Sequence, residues 1–523
     1  MNKLLMILGA AAAVLPASPA AAMPGIPACT ASDAVSQQPK RDVSPGRQTV
    51  KLEQKSFVPF DATTTVTLEC PDPAAAKWLE YHFGEWFGDA APKVSPGRTG
   101  LAVRESTEAY AASVDSNGVK IAANTLAGTR WASYTLRQLA IDKRGTLKTE
   151  GRLLPRLSIS DSPHLAFRAV HLCCFPETRI QQIERAIRLA ALLKFNYAIV
   201  EPWGTYKSEK HPWWSWPDAY LTNSEVKRLV AIGRDLGITL VPMINCYGHA
   251  SSSRISSLKH STLDFHPEYG PLFEPEACGE LGAEGGDGWC WCISNPETQR
   301  VLRELIAEMH ENFGNPPFFH IGCDEAIGAQ TCPECAKTPK TELALKHFNG
   351  LSDFLKARGA RAMMWHDMLI DKSDPRWDGF VKYGGKDAPA ILDGLSRDIV
   401  ICDWQYHRDK VKDKNGVAWP TMAHFAQKGF SVAGCPWMNF KEMPPMGEYL
   451  AKNGGFGFIQ TTWHTLSAKS WEKMYKLGSN AAWGSPVSHG VSFQRSLRLV
   501  GGDMKNKDYL DTGYRNFQVS PAK

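Results

Sequence analysis

At 523 residues, 43% hydrophobic and 22% charged, the chain has ample apolar content for a buried core, and its length fits two or three domains. The balance of 59 basic against 54 acidic side chains leaves only +5, too weak and too dispersed to argue for nucleic-acid or membrane-surface partners. Beyond the N-terminus no segment approaches ~18 uninterrupted apolar residues, so no membrane span is expected.

Residues 1–22 carry Lys3, an apolar run from Leu4 to Leu15, and then Pro16-Ala17-Ser18-Pro19-Ala20-Ala21-Ala22. This is the layout of a secretory signal with an Ala-x-Ala type cleavage site, so an exported protein, periplasmic or secreted, is expected. Residues 23–47, rich in Pro, Ser, Gln and Gly, read as a leader. From 48 to 160 the pattern is mixed. Thr64–Leu68 reads as a strand, Ala74–Phe87 as a helix, Ala109–Asp115 and Gly118–Ala123 as a hairpin across Ser116-Asn117-Gly118, and Gly128–Ala140 as an amphipathic helix. This small α+β module shows no cluster with ligand or catalytic spacing and is expected to be structural.

After Ser162-Pro163 strands and helices alternate. The strands fall at Phe167–Leu172, Tyr197–Glu201, Ile238–Ile244, Phe318–Gly322, Ala362–Trp365, Ile399–Asp403, Phe430–Gly434 and Gly457–Thr462. Eight strands so spaced predict a (β/α)8 TIM barrel over 161–500, with 501–523 as a C-terminal tail. An open doubly wound sheet is the alternative. It lacks support, because no Gly-x-Gly-x-x-Gly follows the first strand and no phosphate loop occurs, and no cofactor is expected.

In such a barrel chemistry sits at the C-terminal strand ends. The fourth strand runs Phe318-Phe319-His320-Ile321-Gly322-Cys323 into Asp324-Glu325. Strand alternation puts His320, Gly322 and Asp324 on one face, with Glu325 just beyond the end. Adjacent carboxylates cannot ionise independently, so one can stay protonated as a general acid beside a charged neighbour. The other ends supply His171, Glu201, Trp203, Tyr247-Gly248-His249, Trp365-His366-Asp367, Asp403-Trp404-Gln405-Tyr406, Trp437, Asn439 and Trp463-His464. A rim of indoles with carboxylates suits a neutral polyhydroxylated ligand such as a glycan, through stacking and charge-assisted hydrogen bonds. A metal-dependent barrel using His171, His249, His320 and Asp367 is a competing reading. It is weakened by His171-Leu172-Cys173 where a His-x-His pair is needed, and no catalytic metal is expected. Among the thirteen cysteines, Cys278, Cys290, Cys292, Cys332 and Cys335 gather in two loops; export favours disulfides among them, with zinc as the alternative.

These residues resemble glycoside hydrolase family 20, the β-N-acetylhexosaminidases, over nearly the whole mature chain. His320-Ile321-Gly322-Cys323-Asp324-Glu325 is similar to the family's His-x-Gly-Gly-Asp-Glu signature, and its Cys form is similar to the hexosaminidase D branch. The resemblance implies an exo-acting hydrolase of terminal β-linked N-acetylhexosamine, retaining and substrate-assisted, a departure from the usual two-carboxylate scheme. It further implies Glu325 as acid/base, Asp324 as the group that orients the 2-acetamido substituent, and His249 as a tuning partner. Arg168, Glu201, His320, Trp365, Asp367, Trp404, Tyr406, Trp437 and Trp463 would contact the sugar. Two departures bear on sugar selectivity: Trp437-Met438-Asn439 stands where the family carries Tyr-x-Asp, and Trp463-His464-Thr465 lacks a glutamate. Trp213-Trp214-Ser215-Trp216 and the 266–294 insertion with Trp289 and Trp291 are expected to narrow the mouth. An inactive member serving as a carbohydrate-binding protein is the alternative function. Oligomeric state is left open.

Overall fold

The computed structural model describes residues 49–500 apart from 142–150, 176–177, 218, 252–261, 276–287, 378–382, 407–411, 413–415, 439, 464–467, 485–495 and 498. The expected signal, leader and C-terminal tail therefore lie outside the described residues. Among those described, no helix is long and apolar enough to cross a membrane.

Two sheets organise the chain. The first has the order β1-β6-β4-β5-β2-β3, built from β1 (Thr49–Pro59), β2 (Thr65–Glu69), β3 (Lys93–Pro96), β4 (Tyr110–Asp115), β5 (Gly118–Ala123) and β6 (Leu153–Asp161). The expected hairpin is β4-β5, with Asp115 opposite Gly118. Asp115 Oδ1 accepts the Asn117 N–H at 2.7 Å, and Gly118 takes the positive φ of 114° that the turn requires. Helices Ala74–Phe87 and Leu126–Leu139 pack on this sheet through Trp78, Leu79, Phe83, Trp131 and Leu136, all buried. Strands β1, β3 and β6 were not expected from sequence. β1 is rich in charge and carries a register shift between Glu53 and Phe57, β3 has four residues, and β6 contains Pro155.

The second sheet has eight parallel strands: β7 (Phe167–Cys174), β8 (Tyr197–Pro202), β9 (Thr239–Pro242), β10 (Phe318–His320), β11 (Arg361–Trp365), β12 (Val400–Gln405), β13 (Ser431–Pro436) and β14 (Gly457–Gln460). Its open edges meet: Ile244 N–H donates to His320 O at 3.0 Å and Cys246 N–H to Ile321 O at 2.9 Å. The result is a TIM barrel. Between the strands lie the helices Ile180–Leu192, Asn223–Leu236, Pro296–Asn312, Lys340–Ala357, Pro420–Gln427 and Ala468–Trp483, in keeping with the expected alternation. Ala388–Gly394 and Met443–Lys452 were unforeseen, the first being only seven residues long and the second opening on Pro444-Pro445. Inside the barrel Phe167, Ala169, Ile199, Val241, Phe318, Met363, Val400, Cys402, Ala433 and Ile459 form a separate core. On β7 the odd-numbered residues thus point inward and the even-numbered ones toward the helices.

The N-terminal module is fastened to the barrel by buried polar bonds. Lys194 Nζ, fully buried, donates to Asp161 Oδ2 at 2.9 Å and to Tyr110 Oη at 2.7 Å. Trp483 Nε1 donates to the other Asp161 oxygen at 2.9 Å. Trp78 Nε1 and Tyr134 Oη donate to the carbonyls of Asp235 and Leu236, which end the helix Asn223–Leu236. Truncating one member of a buried ion pair leaves the other charge without compensation, at a cost of about 3–5 kcal/mol. Lys194→Met is therefore expected to lower unfolding free energy by about that amount in urea denaturation. A change under ~1 kcal/mol, typical of exposed pairs, would refute this account of the junction.

Candidate active site

The strand carrying Asp324 and Glu325 is shorter than its apolar pattern suggests. β10 ends at His320, and Gly322, Cys323 and Glu325 take φ values of 65°, 77° and 48°. Asp324 therefore reaches the barrel mouth by a left-handed turn and not by strand alternation, which corrects the sequence expectation. Non-glycine residues in this region each cost on the order of 1–3 kcal/mol, and such strain persists only where surroundings impose it. Here the loop after β9 imposes it. A Cβ on Gly248 would lie 2.1 Å from Asp324 O, and one on Gly322 would lie 2.1 Å from Asn245 Oδ1, so only glycine fits at either contact.

The same contact brings His249 onto the carboxylates. Its Nε2 lies 3.4 Å from Glu325 Oε2 and 3.6 Å from Asp324 Oδ2. Trp289 packs its ring 4.4 Å from the imidazole and donates Nε1–H to Glu325 O at 2.8 Å. Glu325 N–H in turn donates to Asp367 Oδ2 at 2.8 Å, so Asp367 holds the acid turn from the β11 side. Burial would lower His249, but Asp324, Glu325 and Glu201 outweigh it and lift the imidazole to about 9. Burial pushes Asp324 up to about 7, with Glu325 and Glu201 adding to the rise and His249 opposing it. Asp367 is also held well above the usual carboxylate range, by burial and then by Asp324. The arrangement is one imidazolium beside two carboxyls, Asp324 and Asp367, that burial holds above their ordinary range.

A second polar set lines the inner wall. Glu201 Oε2 receives His171 Nε2 at 2.9 Å and its Oε1 receives Asn245 Nδ2 at 2.7 Å. Burial would raise Glu201, yet these bonds, His171 first, keep it below its ordinary value. His320 accepts the Gly322 N–H on Nδ1 at 3.1 Å, and burial followed by the nearby His171 holds it well below 6.5, hence neutral. The aromatic wall is continuous: Trp365 lies 4.3 Å from His320 and 5.3 Å from Trp463, and Trp404 stacks on Tyr406 at 5.0 Å. Trp463 Nε1 donates to Tyr406 Oη at 2.6 Å, and Trp437 stands 5.5 Å from the Tyr406 ring. Asp324 Oδ1, His320 Nε2, Trp365 Nε1 and Trp404 Nε1 are buried without a hydrogen-bond partner among the described residues. Buried polar atoms are rarely left so, and here they gather where a polar ligand would satisfy them.

Arg168 is the exception among the expected contacts. It is the second residue of β7, an outward position at the far end of the strand, and it is fully buried. Its guanidinium binds both oxygens of Glu108, at 2.6 and 3.1 Å, and the carbonyls of Lys194 and Leu165. It joins the two domains and does not reach the mouth. The indoles expected to narrow the entrance are also packed inside: Trp213 stacks on Tyr269 at 3.9 Å, and Trp291 stacks on Phe273 and donates to Asn245 O. His171 entered the sequence reading as a strand-end residue and candidate metal ligand, not as a sugar contact, and Cys173 and Asn245 were given no role, although the inward parity of 171 and 173 on β7 was readable. Asn439 and His464 lie outside the described residues.

His171, Cys173 and Glu201 place one ligand atom each within 4.8 Å of the others, a possible metal-binding group. The set first considered, His171, His249, His320 and Asp367, is turned instead to separate partners: Glu201, the Asp324-Glu325 pair, Gly322 and Glu325. No disulfide closes among the described residues, so the disulfides expected among Cys292, Cys332 and Cys335 are not formed; Cys278 lies outside the described residues.

His249→Gln removes a positive charge that favours ionised Asp324, so the apparent pKa of Asp324 is expected to rise, by about 1–3 units for an opposite charge at this range. Carboxyl 13C NMR titration of wild type and variant reads this directly; an unchanged or lowered value would contradict a cationic His249. By linkage, the stability His249 contributes is full below its unfolded value of 6.5 and is lost as pH rises through about 9.

Comparison with known proteins agrees with this geometry. Residues 193–415 match the model for the glycosyl hydrolase family 20 catalytic domain, and residues 40–162 match that family's domain 2. Among curated proteins, a lacto-N-biosidase of Bifidobacterium bifidum is 24% identical over 285 residues, 50% of this chain and 23% of its own length. A beta-hexosaminidase of Vibrio furnissii is 24% identical over 331 residues, 57% of this chain and 48% of its own length. The chain thus spans between about a quarter and about half of these relatives. Among solved structures, a beta-N-acetylhexosaminidase from Bacteroides fragilis aligns with a TM-score of 0.60 at 17% identity, covering 84% of this chain and 90% of that one. The GH20 exo beta-N-acetylglucosaminidase from Vibrio harveyi, in complex with N-acetylglucosamine, aligns at 0.62 and 17%, covering 90% and 78%. At such identities the structural likeness is one of fold. Signature turn, barrel and both family domains together show that the chain belongs to glycoside hydrolase family 20.

Proposed function

We propose that this protein is an exported, exo-acting glycoside hydrolase that removes terminal β-linked N-acetylhexosamine by a retaining, substrate-assisted route. The observation that carries the reading is the pairing of Asp324 and Glu325 on one strained turn, with His249 against both. Both carboxylates rise from consecutive residues of one turn against one imidazole nitrogen, an arrangement that asks no second enzyme carboxylate to reach the anomeric carbon. They are well placed when the nucleophile belongs to the substrate.

In this mechanism Glu325 protonates the glycosidic oxygen while the acetamide carbonyl oxygen attacks the anomeric carbon. Asp324, buried and acceptor-rich, takes the acetamide N–H and offsets the positive charge of the oxazolinium intermediate. Glu325 then removes a proton from the incoming water, which opens the ring with overall retention. His249 keeps the carboxylate pair from accumulating two uncompensated charges. Trp365, Trp404 and Trp463, with Tyr406, offer flat faces and donors to the acetamide and the sugar ring, and Trp437 borders them. His320 and Glu201 belong to the inner wall, and Asp367 positions Glu325 through its backbone. The Cys323 form of the signature supports a place near the hexosaminidase D branch.

The alternative reading is a family member that binds a glycan without cleaving it. Glu325→Gln separates the two. It is expected to cut kcat on a 4-methylumbelliferyl N-acetylhexosaminide by about 10²–10⁴-fold, the usual worth of a general acid, with KM little changed. A glycoside with hydroxyl in place of the acetamide should not be turned over. Wild-type protein that binds the sugar but leaves both glycosides intact would establish the second reading.

A further inference from the structure

The loops on either side of the catalytic turn carry a cluster that the proposed hydrolysis does not use. Glu274 and Cys292 come from facing segments of the loop between β9 and the helix Pro296–Asn312, joined by the Phe273–Trp291 bridge. Cys332 and Cys335 come from the loop that follows Asp324 and Glu325. All four are buried, Glu274 to 2% exposure, and their ligand atoms lie within 4.8 Å of one another.

The distances fit a tetrahedral ion. Cys292 Sγ is 3.5 Å from Cys332 Sγ and 3.7 Å from Cys335 Sγ. Thiolates bound at the usual Zn–S length of about 2.3 Å stand about 3.8 Å apart along a tetrahedral edge. A disulfide needs about 2.05 Å, so these sulfurs surround a point and are not paired. Glu274 Oε1 lies 3.0 Å from Cys335 Sγ and completes the set with an oxygen. The surroundings are those of a ligand shell. Glu274 Oε2 accepts the N–H of Thr331 at 3.0 Å and of Cys332 at 2.7 Å, which fixes the carboxylate and leaves Oε1 for the cluster. Cys332 Sγ accepts the Cys335 N–H at 3.3 Å, and Ser294 Oγ lies 3.4 Å from Cys292 Sγ and 3.1 Å from Cys335 Sγ. Outer donors of this kind orient metal ligands and spread the negative charge of thiolates.

We propose that Glu274, Cys292, Cys332 and Cys335 form a structural zinc site that ties the loop bearing His249 to the loop bearing Glu325. With four protein ligands it has no open position, so its role is to hold and not to react. The tie lies in the right place: between the same two loops, Trp289 Nε1 reaches Glu325 O and Gln330 Nε2 reaches Tyr247 Oη at 3.0 Å. Binding zinc would turn the close approach of three buried thiols and a carboxylate into folding free energy.

The test does not depend on glycosidase activity. Full-length protein, expressed with zinc in the medium and dialysed without chelator, is analysed by plasma mass spectrometry. The expected content is about one zinc per chain, falling to about a tenth or less in Cys332→Ser/Cys335→Ser. Cys290→Ser is the control: its sulfur donates to Ile327 O outside the cluster, and the variant should keep its zinc. Should the double variant fail to fold, the wild type decides alone, because release of zinc by a mercurial, followed with 4-(2-pyridylazo)resorcinol, should free about one equivalent and lower the melting temperature. Wild-type protein without zinc, or intact mass about 2 Da low with two of these cysteines crosslinked, would overturn the proposal.

Discussion

The site depends on a backbone contact that leaves no room for a side chain. Gly248 lies against the carbonyl of Asp324, and Gly322 against Asn245, so the loops after β9 and β10 approach as closely as peptide groups can. From that contact follow the left-handed turn through Cys323 and Glu325, the entry of His249 between two carboxylates, and the support that Trp289 and Asp367 give to the Glu325 peptide. Strain at 323 and 325 is thus held by packing, in keeping with the general finding that functional turns store energy supplied by the surrounding fold.

Electrostatics then sets what the turn does. Burial makes Asp324 reluctant to ionise, and the neighbouring Glu325 adds to that reluctance. The His249 imidazolium opposes both, so Asp324 is held at about 7. The Glu201–His171–Asn245 group is held by its own hydrogen bonds, and its carboxylate adds to the rise of both His249 and Asp324.

Much of this was legible in the sequence where one physical rule acts alone. Eight apolar runs at regular spacing gave the barrel because each strand is buried on both faces, and Asn117-Gly118 marked its hairpin because few residues take positive φ. Reading failed where tertiary contacts override local pattern. Phe318 to Gly322 looks like one strand, but the approach of Asn245 bends it after His320. Arg168 resembles a sugar-binding arginine by position in a motif, yet counting by twos from Phe167 puts it on the outer face, where Glu108 takes it. Trp213 and Trp291 are large and near the mouth in sequence, but nothing in their spacing tells a rim indole from one stacked beneath it. The cysteines misled in another way: an export signal argues for disulfides, while the folded loops set three sulfurs and a carboxylate around a common centre.

The central claim is that Asp324 clamps the acetamide while Glu325 serves the glycosidic oxygen. A crystal structure with a thiazoline that mimics the oxazoline tests it most directly. The account predicts Asp324 Oδ within hydrogen-bonding reach of the thiazoline nitrogen, Glu325 on the side of the anomeric carbon where the leaving group departs, and Trp365, Trp404 and Trp463 around the fused ring. A thiazoline bound elsewhere, or one seated in the mouth with Asp324 turned away from its nitrogen, would contradict it.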